Sequence, residues 1–244
     1  VVMTMGKGGV GKTTVALQLA RKLSAAGCKV RLTTTDPAGD LVEGEQGLLH
    51  IDRIEPHREI ERYTREVLAK AAPKLDEEGL ALLKEDLRSP CTEEIAVFRA
   101  FAEAVQQGQD GFVIIDTAPT GHTILLMDAS EAYTREVRRN QEGSPESVTQ
   151  LLPRLRDPQF TRVVLVTLAE PTPVHEAATL QADLGRAGIT PYAWVVNRSL
   201  LASGTQDPVL ASRAVHEADC LAEVLKLSSK AYLEPLRLAV AVHG

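Results

Sequence analysis

Apolar residues follow two rhythms along this chain. Short continuous runs read as buried strands: Val1–Thr4, Cys28–Thr34, Phe112–Ile115, Arg162–Leu168, Tyr192–Asn197 and Leu236–Val242. Leu48–Ile54 reads as an edge strand. Between the runs lie stretches of helical period. The first spans Lys12–Ala25, with Val15, Leu19 and Leu23 on one face and Ala26-Gly27 as its stop. Glu59–Ala71, Glu77–Asp86, Val174–Ala187 and Val209–Leu221 follow the same period, and another helix starts near Ile124. Glu93–Gln107 repeats Ile95, Phe98, Phe101 and Val105, with Thr92 as its N-cap. Gln141–Ser147 is the most loop-like stretch. Strands that alternate with helices predict an α/β fold, a mostly parallel sheet flanked by helices on both faces.

Composition narrows the class. A length of 244 residues suits one large α/β domain, or at most two small ones. A hydrophobic share of 44% excludes a mostly disordered chain. The net charge of −6 argues against nucleic acid as partner. Three scattered cysteines make no disulfide framework, so a reducing, cytoplasmic setting is expected. No apolar run reaches the roughly 18 residues of a membrane span, and no signal-peptide pattern is visible. Val1 and Val2 already read as strand, so the numbering is expected to start inside a longer protein or after an unordered start.

The chemistry concentrates at strand ends. Gly6-Lys7-Gly8-Gly9-Val10-Gly11-Lys12-Thr13 fits the phosphate-loop pattern G-x-x-x-x-G-K-[ST] between a strand and a helix. Its glycines let backbone N–H groups converge on phosphate oxygens, and the helix N-terminus adds positive potential. Lys12 should reach the β- and γ-phosphates, and the Thr13 hydroxyl should ligate Mg²⁺. Lys7 is a second lysine inside the loop. It serves its own site, serves a facing subunit as an arginine finger would, or is a solvated loop residue. Asp36 follows Thr33-Thr34-Thr35 at a strand end. There it could orient or deprotonate an attacking water, or make an Asx-turn before Pro37. Asp40 is a weaker candidate. Asp116 ends an apolar strand as a Walker B carboxylate does. The loop after it, Thr117–Thr123, holds Gly121 and His122 and could sense the γ-phosphate. Cys91 lies at a helix start outside any apolar stripe, where a thiolate is favoured. Cys28 and Cys220 read as buried or incidental thiols, and the histidines show no ligand spacing.

These residues carry a resemblance. Gly6 to Thr14 resembles the deviant Walker A loop of a family of P-loop ATPases that includes ArsA, Get3, MinD and nitrogenase iron protein. Asp116 to Thr123 narrows this to the ArsA/Get3 branch. Glu85–Phe98 and Val163–Gly188 favour the arsenical pump-driving ATPases, with closest similarity to the second half of a tandem protein. The resemblance implies one P-loop ATPase domain over residues 1–244, with a helical metalloid-binding subregion at about 59–107. It implies a MgATP hydrolase stimulated by As(III) or Sb(III) that drives oxyanion efflux. Its partners would be a second ArsA-like domain, an ArsB-type membrane permease and a metallochaperone. Its location would be the cytoplasmic face of the membrane. Gly6, Gly8, Gly9, Val10, Gly11, Lys12, Thr13, Thr14 and Pro119 would surround the nucleotide, and Asn197 would recognise adenine. Lys7 would act across a paired site. Asp36 would position the water, and Asp36 and Asp116 would hold Mg²⁺ through water. Cys91 and Ser89 match the metalloid-binding residues.

Three departures accompany the match. Thr134 replaces a histidine of the family, the residue near Asp40 differs, and Val42–Gly47 is short. The alternative reading is a nucleotide switch that targets or positions a protein without metalloid activation. A third is a module that binds nucleotide but turns it over poorly. The zinc C-x-x-C and the methionine-rich insert of the Get3 proteins are absent from this sequence.

Overall fold

A computed structural model describes residues 1–36, 41–118 and 145–236. Eight strands among them build one sheet: β1 (Val2–Met5), β2 (Val30–Thr34), β3 (Gly44–Gln46), β4 (Leu49–Arg53), β5 (Phe112–Asp116), β6 (Arg162–Leu168), β7 (Ala193–Ser199) and β8 (Ala231–Pro235). Their order is β3-β4-β2-β5-β1-β6-β7-β8. Every neighbouring pair is parallel except β3 with β4. This is the mostly parallel α/β sheet that the alternating pattern predicts, and with the phosphate loop after β1 it is a P-loop NTPase fold.

The eight α-helices among the described residues are α1 (Lys12–Ala25), α2 (Pro56–Ala71), α3 (Glu77–Asp86), α4 (Pro90–Gln106), α5 (Glu146–Arg156), α6 (Pro171–Arg186), α7 (Leu200–Ser203) and α8 (Pro208–Leu227). Side chains alternate across the sheet, so each strand feeds two cores. On one face Ile114 meets Ala16 and Ala20 of α1, together with Leu32 and Ile51. On the other, Val113 and Ile115 join Phe98, Phe101 and Val105 of α4 and Leu151 and Leu155 of α5. Trp194 is fully buried on that face. Its indole N–H donates to Gln181 Oε1 at 2.7 Å, and Gln181 Nε2 donates to the Leu227 carbonyl at 3.0 Å, so its polar tip is satisfied.

Several expectations need correction. Leu48–Ile54 is not the edge, because β3 pairs outside β4. β3 is all exposed and carries no apolar alternation, so its pairing left no signal. The strand Ala231–Pro235 was not expected, and the expected strand Leu236–Val242 lies, but for Leu236, outside the described residues. Thr92 is not the cap of α4. Ser89 takes the N-cap position, Pro90 opens the helix, and Thr92 is buried within it. Ser147, read as loop, sits in α5, a helix that the pattern reading missed. The helix expected near Ile124 lies outside the described residues. Among the described residues no helix is long and apolar enough to cross a membrane.

Candidate active site

The carboxyl ends of β1, β2, β5 and β7 point to one edge of the sheet, where an open α/β fold binds its ligand. β1 delivers the phosphate loop and β2 delivers Asp36. β5 delivers Asp116, and β7 delivers Asn197.

Two glycines of the loop are demanded by geometry. At Gly6 (φ 150°) an added Cβ would lie 2.2 Å from the Val166 carbonyl oxygen. At Gly11 (φ 90°), the N-cap of α1, it would lie 2.2 Å from Asn197 Nδ2. Both are therefore left-handed and pressed against a neighbouring strand end. Val10 is buried against Val166 and Val195, while Gly8, Gly9 and Thr14 are exposed on the outer rim.

Asp116 is fully buried at the end of β5. In register it stands beside Thr4 of β1 and Thr34 of β2. Three hydroxyls donate to it: Thr13 at 2.7 Å, Thr34 at 3.2 Å and Thr4 at 3.3 Å. Burial pushes the Asp116 carboxyl up from its ordinary value. The bonds from Thr13 and Thr34, the Lys12 ammonium and the bond from Thr4 oppose that push. Thr4 and Thr34 are site residues that the sequence reading did not single out. Their signal was a threonine near the carboxyl end of a predicted strand.

Lys12 is buried, and its ammonium donates to the Lys7 carbonyl at 3.1 Å. Burial lowers its pKa, and the Asp116 and Asp36 carboxylates pull it back up. The lysine thus lies within the field of both predicted carboxylates. Asp36 is half-buried. Its N–H donates to Thr34 Oγ1 at 3.1 Å, and its carbonyl accepts from Arg53 Nη1 at 2.8 Å. The backbone of this turn is tied to both β2 and β4. Hydroxyl and carboxylate oxygens converging beside a phosphate loop are the hard donor set that Mg²⁺ takes, so Thr13 and Asp116 fit that ion.

Lys7 points elsewhere. Its ammonium reaches Glu176 Oε1 on α6 at 2.6 Å, with both side chains more than a third exposed. Asn197 is buried at the other end of the loop. Its Nδ2 donates to the Val10 carbonyl at 2.9 Å, and its Oδ1 accepts from Arg198 N–H at 3.0 Å. A primary amide carries two N–H donors and two lone pairs, so one of each is left over.

Cys91 and Ser89 belong to a different place, the start of α4. Cys91 is exposed, Cys28 half-buried and Cys220 buried. Ser89 Oγ shares a hydrogen bond with Thr92 Oγ1 at 3.3 Å. Among the described residues no three His, Cys, Asp or Glu side chains gather as a metal-holding group. Pro119, Gly121 and His122 lie outside the described residues, as do Asp40 and Thr134.

The anion-transporting ATPase family model matches residues 1–144. The chain belongs to the anion-transporting ATPase family. Its relatives agree. It is 52% identical over 219 residues to an arsenical pump-driving ATPase of Escherichia coli, covering 88% of this chain and 37% of that protein. An arsenical pump-driving ATPase of Acidiphilium multivorum matches at the same identity and shares. The ATPase asna-1 of Caenorhabditis elegans is 26% identical over 249 residues, covering 80% of this chain and 73% of that protein. The chain therefore spans about 37% of the length of the arsenical pump-driving relatives that it matches at 52%. Membership of this family of P-loop ATPases implies binding of ATP and Mg²⁺.

Proposed function

We propose that this chain is one ATP-hydrolysing unit of a metalloid-stimulated motor for arsenite or antimonite efflux. The observation that carries the reading is the Thr13–Asp116 contact at 2.7 Å beside a complete phosphate loop, in a chain 52% identical to an arsenical pump-driving ATPase. The loop N–H groups and Lys12 hold the triphosphate. Bound Mg²⁺ would neutralise the β- and γ-phosphate oxygens, held by Thr13 directly and by Asp36 and Asp116 through water. Asp36 turns the attacking water toward the γ-phosphate. Lys7 leaves Glu176 to meet charge that develops in a facing nucleotide site. The loop after Asp116, with Pro119, couples hydrolysis to the metalloid. Asn197 reads adenine with its spare donor and acceptor, which match N7 and the N6 amino group.

In this reading residues 1–244 are one P-loop domain and correspond to the second half of a tandem ATPase. The helical subregion at about 59–107 binds metalloid through Cys91 and Ser89. As(III) and Sb(III) seek soft thiolates, and one exposed thiol cannot enclose such an ion. A second ArsA-like domain supplies the rest, an ArsB-type permease receives the oxyanion, and a metallochaperone delivers it. The motor works in the cytoplasm at the inner face of the membrane.

The test is ATP turnover with and without antimonite, on wild type and Cys91→Ser. Wild type is expected to be stimulated and the variant to lose the stimulation. Equal stimulation of both sinks the role of Cys91. Turnover that ignores antimonite in both leaves the coarser reading, a nucleotide-switch ATPase that acts on a protein partner.

A further inference from the structure

A buried carboxylate that the hydrolytic chemistry does not use stands behind the Asn197 turn. Glu217 lies mid-helix in α8 and is 7% exposed. Its two oxygens accept three hydrogen bonds, all from the segment that follows Asn197. Ser199 Oγ donates at 2.7 Å, Leu200 N–H at 2.8 Å and Leu201 N–H at 3.1 Å. Ser199 is fully buried, and its hydroxyl also caps α7 by accepting from Ala202 N–H at 3.1 Å. The carboxylate thus takes the first free N–H groups of a one-turn helix too short to hold its own shape.

What the carboxylate holds is a strained turn. Arg198 is the only described non-glycine residue with positive φ, at 55°. The pairing of β7 with β8 shifts register between Val196 and Ser199. Asn197 sits immediately before this kink, with its amide pinned between the Val10 carbonyl and the Arg198 N–H. A non-glycine residue at positive φ persists where the surroundings over-determine it. Glu217 supplies that constraint from one side, and the β7 ladder supplies it from the other. Burying a carboxylate is costly, and a well-packed apolar residue would stabilise α8 as well. The charge is spent on fixing a turn.

We infer that Glu217 is a positioning residue for nucleotide-base selection: it fixes the 197–201 turn so that the spare donor and acceptor of Asn197 face an adenine edge. The inference rests on the reading of Asn197 as the adenine-recognising residue. Adenine offers an acceptor at N7 and a donor at N6, whereas guanine offers acceptors at both N7 and O6. A fixed amide therefore accepts one base and repels the other. A loosened amide can rotate and discriminates poorly.

The test uses binding alone, so it does not depend on hydrolysis or on metalloid. Dissociation constants for MgADP and MgGDP are measured by calorimetry on wild type, Glu217→Gln, Ser199→Ala and Asn197→Ala, well below each melting temperature. Gln keeps the volume of Glu217 but turns an N–H₂ toward backbone N–H groups. Glu217→Gln is expected to weaken MgADP about tenfold and to lower the ADP-over-GDP preference by a similar factor. Ser199→Ala, which leaves the two backbone bonds in place, is expected to lower it about threefold and serves if the first variant does not fold. A Glu217 that only stabilises the fold would lower Tm and leave the preference at its wild-type value in both variants, and that result overturns the inference. Asn197→Ala separates the two layers. If it leaves the preference unchanged, the adenine reading itself fails. If it abolishes the preference while Glu217→Gln and Ser199→Ala retain it, only the positioning role is lost.

Discussion

Two regions of this chain carry candidate chemistry, and they are built in opposite ways. At the sheet edge, Asp116 is fully buried, and three hydroxyls from three different elements close on it. In the helical region, α2 and α3 bury no residue, and Cys91 stands exposed at the first turn of α4. The first region rests on parallel strands whose register admits one arrangement. In the second, α2 is joined to α4 by ion pairs, exposed Arg62–Glu103 at 2.7 Å and part-buried Arg99–Glu66 at 2.8 Å. A site enclosed by one chain can hold a nucleotide by itself. A lone exposed thiol can act only with ligands from a second surface.

The comparison can be broken from the buried side first. Lys12→Ala should lower ATP turnover by about 10³-fold or more, because it removes the charge closest to the transferred phosphate. Turnover assays and a melting curve together check that the fold survives. Lys7→Ala should lower turnover by about 10²-fold while leaving MgADP affinity within about twofold, since Lys7 rests on Glu176 and not on its own loop. An affinity loss as large as the turnover loss would show that Lys7 serves its own site.

Asp116→Asn sharpens the contrast through stability. The carboxyl is pushed up by burial, so the fold favours its protonated form. That favour is complete below the unfolded pKa and fades as pH rises through the folded one. In the nucleotide-free protein burial therefore works against the charged form of Asp116. The Asp116→Asn variant is not expected to turn ATP over, yet its nucleotide-free Tm should rise by about 2–4 °C, and calorimetry reads the sign. A fall in Tm would mean that the hydroxyl bonds outweigh desolvation. The smallest effect belongs to the helical surface. Arg62→Met should change stability by less than about 1 kcal/mol, with the residual difference vanishing in high salt, as denaturant titrations can measure.

Legibility in the sequence followed the same divide. The phosphate loop was readable because its residues are contiguous and their spacing is the geometry. α1, α3 and β6 occur at the expected bounds, since each pairs a clear period with a clean stop or start. α5 was missed although Val148, Leu151 and Leu155 lie at helical spacing, because the Gly-Ser-Pro segment before it masked the onset and Pro153 lies inside it. β3 was missed because an exposed polar edge strand needs no apolar face. Asn197 was named as a base reader, but its bond to Val10 was invisible at a separation of 187 residues.

The sequence by itself determined the class of fold, the phosphate loop and the candidacy of Asp36, Asp116 and Cys91. Each of these is a local pattern whose meaning does not depend on which elements become neighbours. Only the tertiary structure decided that Thr4 and Thr34 flank Asp116, that Lys7 lies on Glu176, and that Glu217 holds the turn behind Asn197. Parallel strands need long crossovers, so their ends bring together residues from distant parts of the chain. A polar side chain such as Glu217 looks in sequence like any solvated helix residue. Packing alone removed it from water and assigned its three partners.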